Sequence, residues 1–276
     1  MSVEDFRIRK GSATGHGHTK KGINNQDALF VDKRVIDGKL YVYGVVADGC
    51  SLGGKKSVRN QHVRTEVGAV LLTAFIRSEI PLLLASHTPI NLIPQSLYHR
   101  CVSYLANIAR TTTVGGPEVL WDFIERNLLA TVVGFVMNDE MLVTFSAGDG
   151  MIIVNDEFNL IDQDNMPKYL AYHLVDRSIL GEAANQLPDC FDWMFYPTKD
   201  INRFAVCTDG VADAWKGDPN IINGIWDYQP QALAGLQWWI NKGSKDHLFR
   251  DDCTIIAPFR ILSKDGEQGD NHESDN

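Results

Sequence analysis

The chain has 276 residues, of which 44% are hydrophobic and 22% charged, a composition typical of soluble globular proteins with a sizeable core. Its formal net charge of -9 argues against general binding to nucleic acids or anionic membranes, because both need a basic surface. We therefore expect neither nucleic acid nor membrane as a partner.

The N-terminal part of the chain predicts two strands followed by helices. Residues 27–31 and 40–47 are apolar runs joined through Asp37-Gly38, a dipeptide typical of hairpin turns. The second run is apolar at nearly every position, as expected of a strand covered on both faces. Helical patterns follow at residues 57–80, 94–111 and 118–127.

The middle of the chain predicts strands again. Apolar runs lie at residues 128–137, 141–147 and 151–154. The turn residues between them, Asn138-Asp139 and Gly148-Asp149-Gly150, predict an antiparallel meander.

The C-terminal part begins with residues 156–200, which we expect to form an irregular excursion. A strand at 203–208, a helix at 230–241 and a last strand at 253–257 are predicted after it. Helices in blocks between strands that are adjacent in sequence indicate the α+β fold class. We expect one domain over residues 1–262 and a disordered acidic tail at 263–276, which contains no apolar residue.

The location of the protein is predicted from three absences in the sequence. We find no uninterrupted apolar run of the ~20 residues that span a bilayer, and no signal-peptide pattern at the N-terminus. The five cysteines are scattered and form no CxxC pair, which indicates reduced thiols. We therefore expect a cytoplasmic protein.

Aspartates recur at the ends of the predicted strands. Asp48-Gly49 and Asp209-Gly210 each follow an apolar run, Asp251 comes shortly before the last strand and Asp27 precedes the first. Carboxylates held at a strand end, with glycine carbonyls beside them, suit hard cations such as Mg²⁺ or Mn²⁺. An Asp-Gly pair after a strand is also a common turn, so composition alone leaves both interpretations open.

Five motifs in order add a resemblance to a known family. They are Asn25-Gln26-Asp27-Ala28, Val46-Ala47-Asp48-Gly49, Ser146-Ala147-Gly148-Asp149-Gly150, Thr208-Asp209-Gly210-Val211-Ala212-Asp213 and Asp251-Asp252-Cys253-Thr254. Each motif is weak alone, but the ordered set resembles the protein phosphatase 2C family, and the opening segment is most similar to its stand-alone bacterial branch. The resemblance spans about residues 10–258.

The resemblance implies a four-layer α-β-β-α sandwich, two antiparallel sheets flanked by helices, with two Mg²⁺ or Mn²⁺ ions at one end. Asp48 would bridge both ions, the Gly49 carbonyl would bind one of them, Asp209 and Asp251 would complete the shell of the other, and Asp27 would lie nearby. The implied reaction is attack of a metal-activated water on phosphoserine or phosphothreonine. The substrate would be a phosphorylated protein, the target of a Ser/Thr kinase, and residues 156–200 would form the family's variable flap.

The sequence departs from the family pattern around this core. Many members carry an arginine where Gly22 stands here, so Lys21 is a candidate phosphate contact, with an ordinary solvated lysine as the alternative. Cys50 replaces a histidine that follows Asp-Gly in many members, which leaves a metal-bound water, or His16 or His18, as candidate general acid. The two histidines could instead capture a metal or belong to a plain polar loop.

A third metal finds no matching ligand in the sequence. Bacterial members often hold it through an aspartate shortly before the strand that begins near Leu128, and Asp122 and Glu125 are only approximate substitutes.

Two other functions stay open. One is a catalytically silent binding or regulatory module, and the other is a hydrolase of small phosphorylated molecules.

Overall fold

The computed structural model describes residues 2–50, 64–163, 168–181, 187–227 and 234–261. Within these residues, ten strands form two antiparallel five-stranded sheets. In spatial order, sheet A contains β1 (Phe6–Ala13), β10 (Cys253–Arg260), β9 (Phe204–Cys207), β6 (Gly150–Val154) and β7 (Glu157–Ile161). Sheet B contains β2 (Asp27–Ile36), β3 (Lys39–Asp48), β4 (Val132–Met137), β5 (Met141–Ala147) and β8 (Asp192–Pro197).

Helices cover the outer faces of both sheets. The helices among the described residues are α1 (His16–Lys21), α2 (Glu66–Ala85), α3 (Ile93–Thr112), α4 (Pro117–Asn127), α5 (Arg177–Leu180), α6 (Asp209–Gly217), α7 (Asn223–Trp226) and α8 (Gly235–Lys245). Helices α2, α3 and α4 pack on sheet B, whereas α6, α7 and α8 pack on sheet A. The predicted α+β fold with four layers is thereby confirmed.

The alternation of side chains along each central strand explains why both of its faces are apolar. On β3, Tyr43 and Val45 point to the helices, whereas Val42 and Val46 point to sheet A. Successive residues of a strand face opposite sides, so a central strand of a four-layer fold contributes to two cores. This is the physical reason for the uninterrupted apolar run of residues 40–47 in the sequence.

The core between the sheets offers a direct test of this layering. Ile256→Val removes one methylene from a fully buried side chain and is expected to lower the free energy of unfolding by about 1 kcal/mol. Ile261→Val, the same change at a side chain that is 47% exposed, is expected to cost less than about 0.5 kcal/mol. Urea unfolding measures both values, and equal costs would contradict the assigned core.

The predicted meander is wrong at its third strand. β4 and β5 pair in sheet B, but β6 belongs to sheet A, where it lies between β9 and β7. The chain crosses between the sheets at Gly148 and Gly150, whose φ angles are +86° and +156°. Glycine adopts these backbone conformations without the steric cost of a side chain, so the turn can redirect the chain instead of returning it to β5.

The excursion at 156–200 is more regular than the sequence predicted. It contributes β7 to one edge of sheet A and β8 to one edge of sheet B, and its described residues also contain α5. β8 pairs with β5 over its whole length through residues of high strand propensity such as Trp193 and Phe195. The excursion therefore extends both sheets before the chain reaches β9.

Three predicted segments fall partly or wholly outside the described residues. The helix expected at 57–80 is observed as Glu66–Ala85, with residues 57–63 not described, and the helix expected at 230–241 is observed as Gly235–Lys245, with residues 230–233 not described. The acidic tail at 263–276 also lies outside the described residues, so the expected domain boundary stays a prediction.

Helix α2 is long and apolar enough to cross a membrane by length and composition, which the sequence analysis did not anticipate. Half of its apolar window is buried in the fold, where residues such as Leu72 and Ile76 pack in the core shared with sheet B. Its outer face carries Arg77, which forms an ion pair with Asp32 at 2.8 Å. These contacts are those of a core helix.

Candidate metal centre

The four predicted aspartates come together at one end of the sandwich. Asp27 begins β2 and Asp48 ends β3, and they lie opposite each other in the register of sheet B. Asp209 lies two residues after the end of β9, and Asp251 lies two residues before the antiparallel neighbour β10 in sheet A. Antiparallel neighbours place the end of one strand beside the start of the next, so both sheets contribute two carboxylates to the same end.

Asp27 is held by side chains from both sheets. The Thr208 hydroxyl donates to Oδ2 of Asp27 at 2.8 Å, and the Asp27 amide donates to Oδ1 of Asn25 at 2.9 Å. Oδ1 of Asp27 is buried and accepts no hydrogen bond from any residue that the structure describes. A buried carboxylate oxygen without a donor is costly, so this atom suits a cation as its partner.

Asp48 is fixed at the backbone and at one carboxylate oxygen. Its amide donates to the Thr131 hydroxyl at 3.2 Å, and its carbonyl accepts from the Thr131 amide at 2.8 Å. The Cys50 thiol donates to Oδ2 of Asp48 at 3.2 Å. The residue that replaces the family's histidine therefore orients the predicted bridging carboxylate in this chain.

Close backbone packing brings Asp209 near Asp251. Gly210 lies in the first turn of α6, and a Cβ atom at this position would be 2.0 Å from the Asp252 carbonyl oxygen. Only glycine allows the start of α6 to approach the segment before β10 this closely. Asp209 itself lies at the N-terminus of α6, where the helix dipole favours a negative charge.

Gly210→Ala is accordingly expected to lower the free energy of unfolding by about 2 kcal/mol and to weaken Mn²⁺ binding, because the clash is with backbone and forces α6 away from β10. Gly217→Ala, in the same helix but with open space around its Cα, is the matched control. Thermal unfolding and calorimetric Mn²⁺ titration measure both effects. Equal stability and equal Mn²⁺ affinity of the two variants would contradict the packing role proposed for Gly210.

A fifth aspartate, Asp252, holds the N-terminal segment against the site. Its side chain is 1% exposed, and it accepts from the amides of Gly15 at 2.9 Å and Gln26 at 2.6 Å. Nδ1 of His18 lies 3.0 Å from Asp252 and 3.4 Å from Asp251. His18, Asp251 and Asp252 also form a group whose ligand atoms could hold a metal ion.

Asp252 belongs to one of the five motifs, but no role for it is predicted from the sequence, and the partner of His18 is not predicted either. The feature of the sequence that singles out Asp252 is its position directly after another aspartate, Asp251. The neighbours of His18 depend on the fold, because α1 reaches the segment before β10 only in the tertiary structure.

Burial and mutual repulsion dominate the electrostatics of the cluster. Burial raises the pKa of Asp27 to about 7. Burial and the negative charge of Asp27 raise the pKa of Asp48 well above its ordinary value, and burial and the charge of Asp48 do the same for Asp209. Without a cation these groups hold protons that ordinary aspartates release, because ionised carboxylates this close repel one another.

The donor set fits divalent cations of the Mg²⁺ and Mn²⁺ type. It consists of carboxylate and carbonyl oxygens, which are the ligands of hard ions, and it includes the buried Asp27 oxygen that lacks a donor. Asp251 keeps 47% of its side chain exposed, so solvent and ligands reach the cluster from its side.

The structure separates the more peripheral candidates from the cluster. Lys21 is exposed in the last turn of α1, and its role as a phosphate contact stays a prediction. His16 and His18 belong to a helix, not to a plain loop, and only His18 faces the aspartates. Asp122 forms an ion pair with Arg126 at 2.6 Å on the surface of α4.

Comparisons with known proteins agree with this fold. The chain matches the protein phosphatase 2C family over residues 14–232, whereas no curated protein matches it. A bacterial serine phosphatase has 16% identity and a TM-score of 0.61, covering 94% of this chain and 99% of that one. The serine/threonine phosphatase Stp1 of Staphylococcus aureus has 15% identity and a TM-score of 0.58, covering 94% and 96%.

The catalytic domain of the serine/threonine phosphatase PstP, solved with two manganese ions, has 16% identity and a TM-score of 0.56, covering 93% of this chain and 99% of that one. At such low identity these structures show a common fold and no more. The family match, by contrast, extends over most of the sequence, including the segments that carry Asp27, Asp48 and Asp209. The chain belongs to the protein phosphatase 2C family.

Proposed function

We propose that this chain is a metal-dependent phosphoserine/phosphothreonine protein phosphatase. The observation that carries the proposal is the buried cluster of Asp27, Asp48 and Asp209, contributed by both sheets and left with strongly raised pKa values when no cation is present. A structural role alone would not require such costly groups together. The two manganese ions of PstP, a protein of the same fold, support the same interpretation.

Two divalent ions would be held by Asp48 and the Gly49 carbonyl on one side and by Asp209 and Asp251 on the other, with Asp27 nearby. When bound, such ions lower the pKa of a coordinated water and stabilise charge on a transferring phosphoryl group. Mg²⁺ and Mn²⁺ both suit these oxygen donors, and the proposal does not require a third ion.

The residues around the cluster hold the carboxylates in place before substrate binds. The Cys50 thiol and the Thr131 hydroxyl restrain Asp48, and the Thr208 hydroxyl restrains Asp27. Fixed carboxylates need no reorganisation when charge develops on the substrate, which is the main source of rate enhancement in sites of this kind. The exposed side of Asp251 is where a phosphorylated residue would approach.

The substrate is proposed to be a phosphorylated protein that a Ser/Thr kinase produces, and the expected cytoplasmic location stays part of the proposal. The alternatives are a catalytically silent binding module and a hydrolase of small phosphorylated molecules. In all three cases the fold is the same, so only activity separates them.

The test is hydrolysis by the purified chain with Mn²⁺ or Mg²⁺, and with EDTA as control. We expect turnover of p-nitrophenyl phosphate and of phosphoserine and phosphothreonine peptides, with loss of activity in EDTA. Hydrolysis of small phosphate esters without any turnover of phosphopeptides would favour the small-molecule alternative. No turnover with any divalent ion would exclude both enzymatic functions and favour the silent module.

A further inference from the structure

A cavity of about 800 Å³ lies beside the metal centre, between the end of β1, helix α1 and the C-terminal part of α8. The ionisable side chains that line it are all basic, namely His16, Lys20, Lys245 and His247, and its remaining polar groups are hydroxyls and amides. The chain as a whole carries 35 acidic against 26 basic residues, so a cavity lined by basic groups alone departs from the average surface. Such a lining suits an anion.

The cavity is separate from the carboxylate cluster because α1 has two different faces. At about 100° per residue, His16 and Lys20 share one face of the helix, whereas His18 lies on the opposite face. His18 faces Asp251 and Asp252, and the other face lines the cavity. The anion site and the proposed cation site are therefore on opposite sides of one short helix.

The two histidines are held at the wall of the cavity. Nδ1 of His16 donates to the Phe249 carbonyl at 2.9 Å, because a carbonyl can only accept. Nε2 of His16 takes no part in this hydrogen bond. The rings of His16 and His247 meet edge to face with centroids 4.9 Å apart. Neither lysine of the cavity has an ion pair among the residues that the structure describes.

The floor of the cavity contacts the metal centre through one side chain. Nδ2 of Asn25 donates to the Ser12 hydroxyl at 2.8 Å, and Oδ1 of Asn25 accepts from the Asp27 amide at 2.9 Å. Ser12 and Asn25 both line the cavity. Asn25 therefore links the cavity lining to the residue that begins β2 in the metal centre, so one extended substrate segment could reach both sites.

We propose that this cavity binds a second phosphate group, distinct from the one that is hydrolysed. The group is carried either by a second phosphorylated residue of the substrate or by a free small phosphate compound, and the substrate-borne case rests on the proposed phosphatase function. Lysine ammonium groups with neighbouring hydroxyls and imidazoles are the partners that a phosphate dianion requires.

Binding is tested first without reference to catalysis, in the Mg²⁺-loaded protein. Inorganic phosphate is expected to move the imidazole NMR resonances of His16 and His247 in the wild type but not in Lys245→Glu. The matched control is Lys242→Glu, which makes the same charge change in α8 at a lysine that lies over the Trp238 ring and outside the cavity lining. Lys245→Gln, a milder change, serves if the reversal disturbs folding.

Kinetics then separate the two sources of the phosphate. If the group is carried by the substrate, a doubly phosphorylated peptide should have a KM roughly fivefold or more below that of its singly phosphorylated counterpart. Lys245→Glu should abolish this preference and leave kcat/KM for p-nitrophenyl phosphate unchanged, and Lys242→Glu should keep it. Resonance shifts without any peptide preference would assign the cavity to a free phosphate compound.

Two outcomes distinguish failure of this inference from failure of the proposed function. Unmoved His16 and His247 resonances together with equal KM values for the two peptides, in an active enzyme, would overturn the phosphate site. This is the result expected if Lys20 and Lys245 only complement the C-termini of their helices. Resonance shifts in a protein without any phosphatase activity would support the phosphate site in the cavity and overturn the proposed phosphatase function.

Discussion

Asp48→Asn is expected to lower kcat/KM for p-nitrophenyl phosphate in the presence of Mn²⁺ by about 10³-fold or more. Asparagine keeps the size of the side chain but replaces the charged carboxylate with a neutral amide, which holds divalent cations far more weakly. Stabilisation by bound metal amounts to several kcal/mol, and about 4 kcal/mol corresponds to a factor of 10³ in rate. Asp209→Asn is expected to have an effect of similar size.

The control for this prediction is Asp122→Asn, which removes a carboxylate that is paired with Arg126 on the surface of α4. Its activity should stay within about threefold of the wild type, as for surface changes distant from a site. Steady-state kinetics over a range of Mn²⁺ concentrations measure all three variants. Full activity of Asp48→Asn and Asp209→Asn at saturating Mn²⁺ would remove the proposed two-metal site.

The metal-free protein is expected to lose stability as the pH rises from about 4 to about 7. Burial raises the pKa of Asp27 to about 7, and the pKa values of Asp48 and Asp209 are also raised. The folded protein therefore binds more protons than the unfolded chain, whose aspartates titrate near pH 3.9, and folding stability must fall with pH. Each group contributes at most about 1.4 kcal/mol per pH unit within that window.

Thermal unfolding in EDTA at pH 5, 6, 7 and 8 measures this loss. At pH 7 in EDTA, Asp48→Asn should be more stable than the wild type, the opposite of its effect on activity, because a neutral amide is buried beside Asp27 without having to take up a proton on folding. Mn²⁺ should raise Tm of the wild type more at pH 8 than at pH 5, since protons compete with the ion. A wild type that is as stable as Asp48→Asn at every pH in EDTA would contradict the described electrostatics.

The central strands and the position of the aspartates could be predicted because both leave a local pattern. Residues 40–47 and 141–147 are apolar at almost every position, and the observed strands β3 and β5 match them closely. The order of strands in the sheets could not be predicted in the same way. A turn such as Gly148-Asp149-Gly150 allows the chain either to return to its own sheet or to cross to the other, and only the packing of β6 against β9 decides between them.

Strand β1 was missed because its basic residues obscure the apolar alternation. Arg9 interrupts the pattern in the sequence, but in the structure it is 2% exposed and lies over the Phe259 ring at 4.6 Å. It also donates to the Ile225 carbonyl at 3.3 Å. A buried arginine with partners from distant elements cannot be recognised from its neighbours in sequence.

Helix α6 was missed for a related reason. Asp209-Gly210 after a strand has the composition of a turn, and Thr208 at the N-cap makes no side-chain capping bond to α6. Its hydroxyl donates to Asp27 instead. The Thr208 hydroxyl thus orients Asp27 in the candidate metal centre instead of capping α6. Departures of this kind from the usual capping pattern are expected at functional sites.

The most direct test of the metal centre is a crystal structure of the protein grown with Mn²⁺, with data collected at the manganese absorption edge. The proposed metal centre predicts two anomalous peaks among Asp48, Asp209 and Asp251, one of them in contact with the Gly49 carbonyl. A single peak at His18 and Asp252 with none at Asp48, or no peak at all at millimolar Mn²⁺, would contradict it.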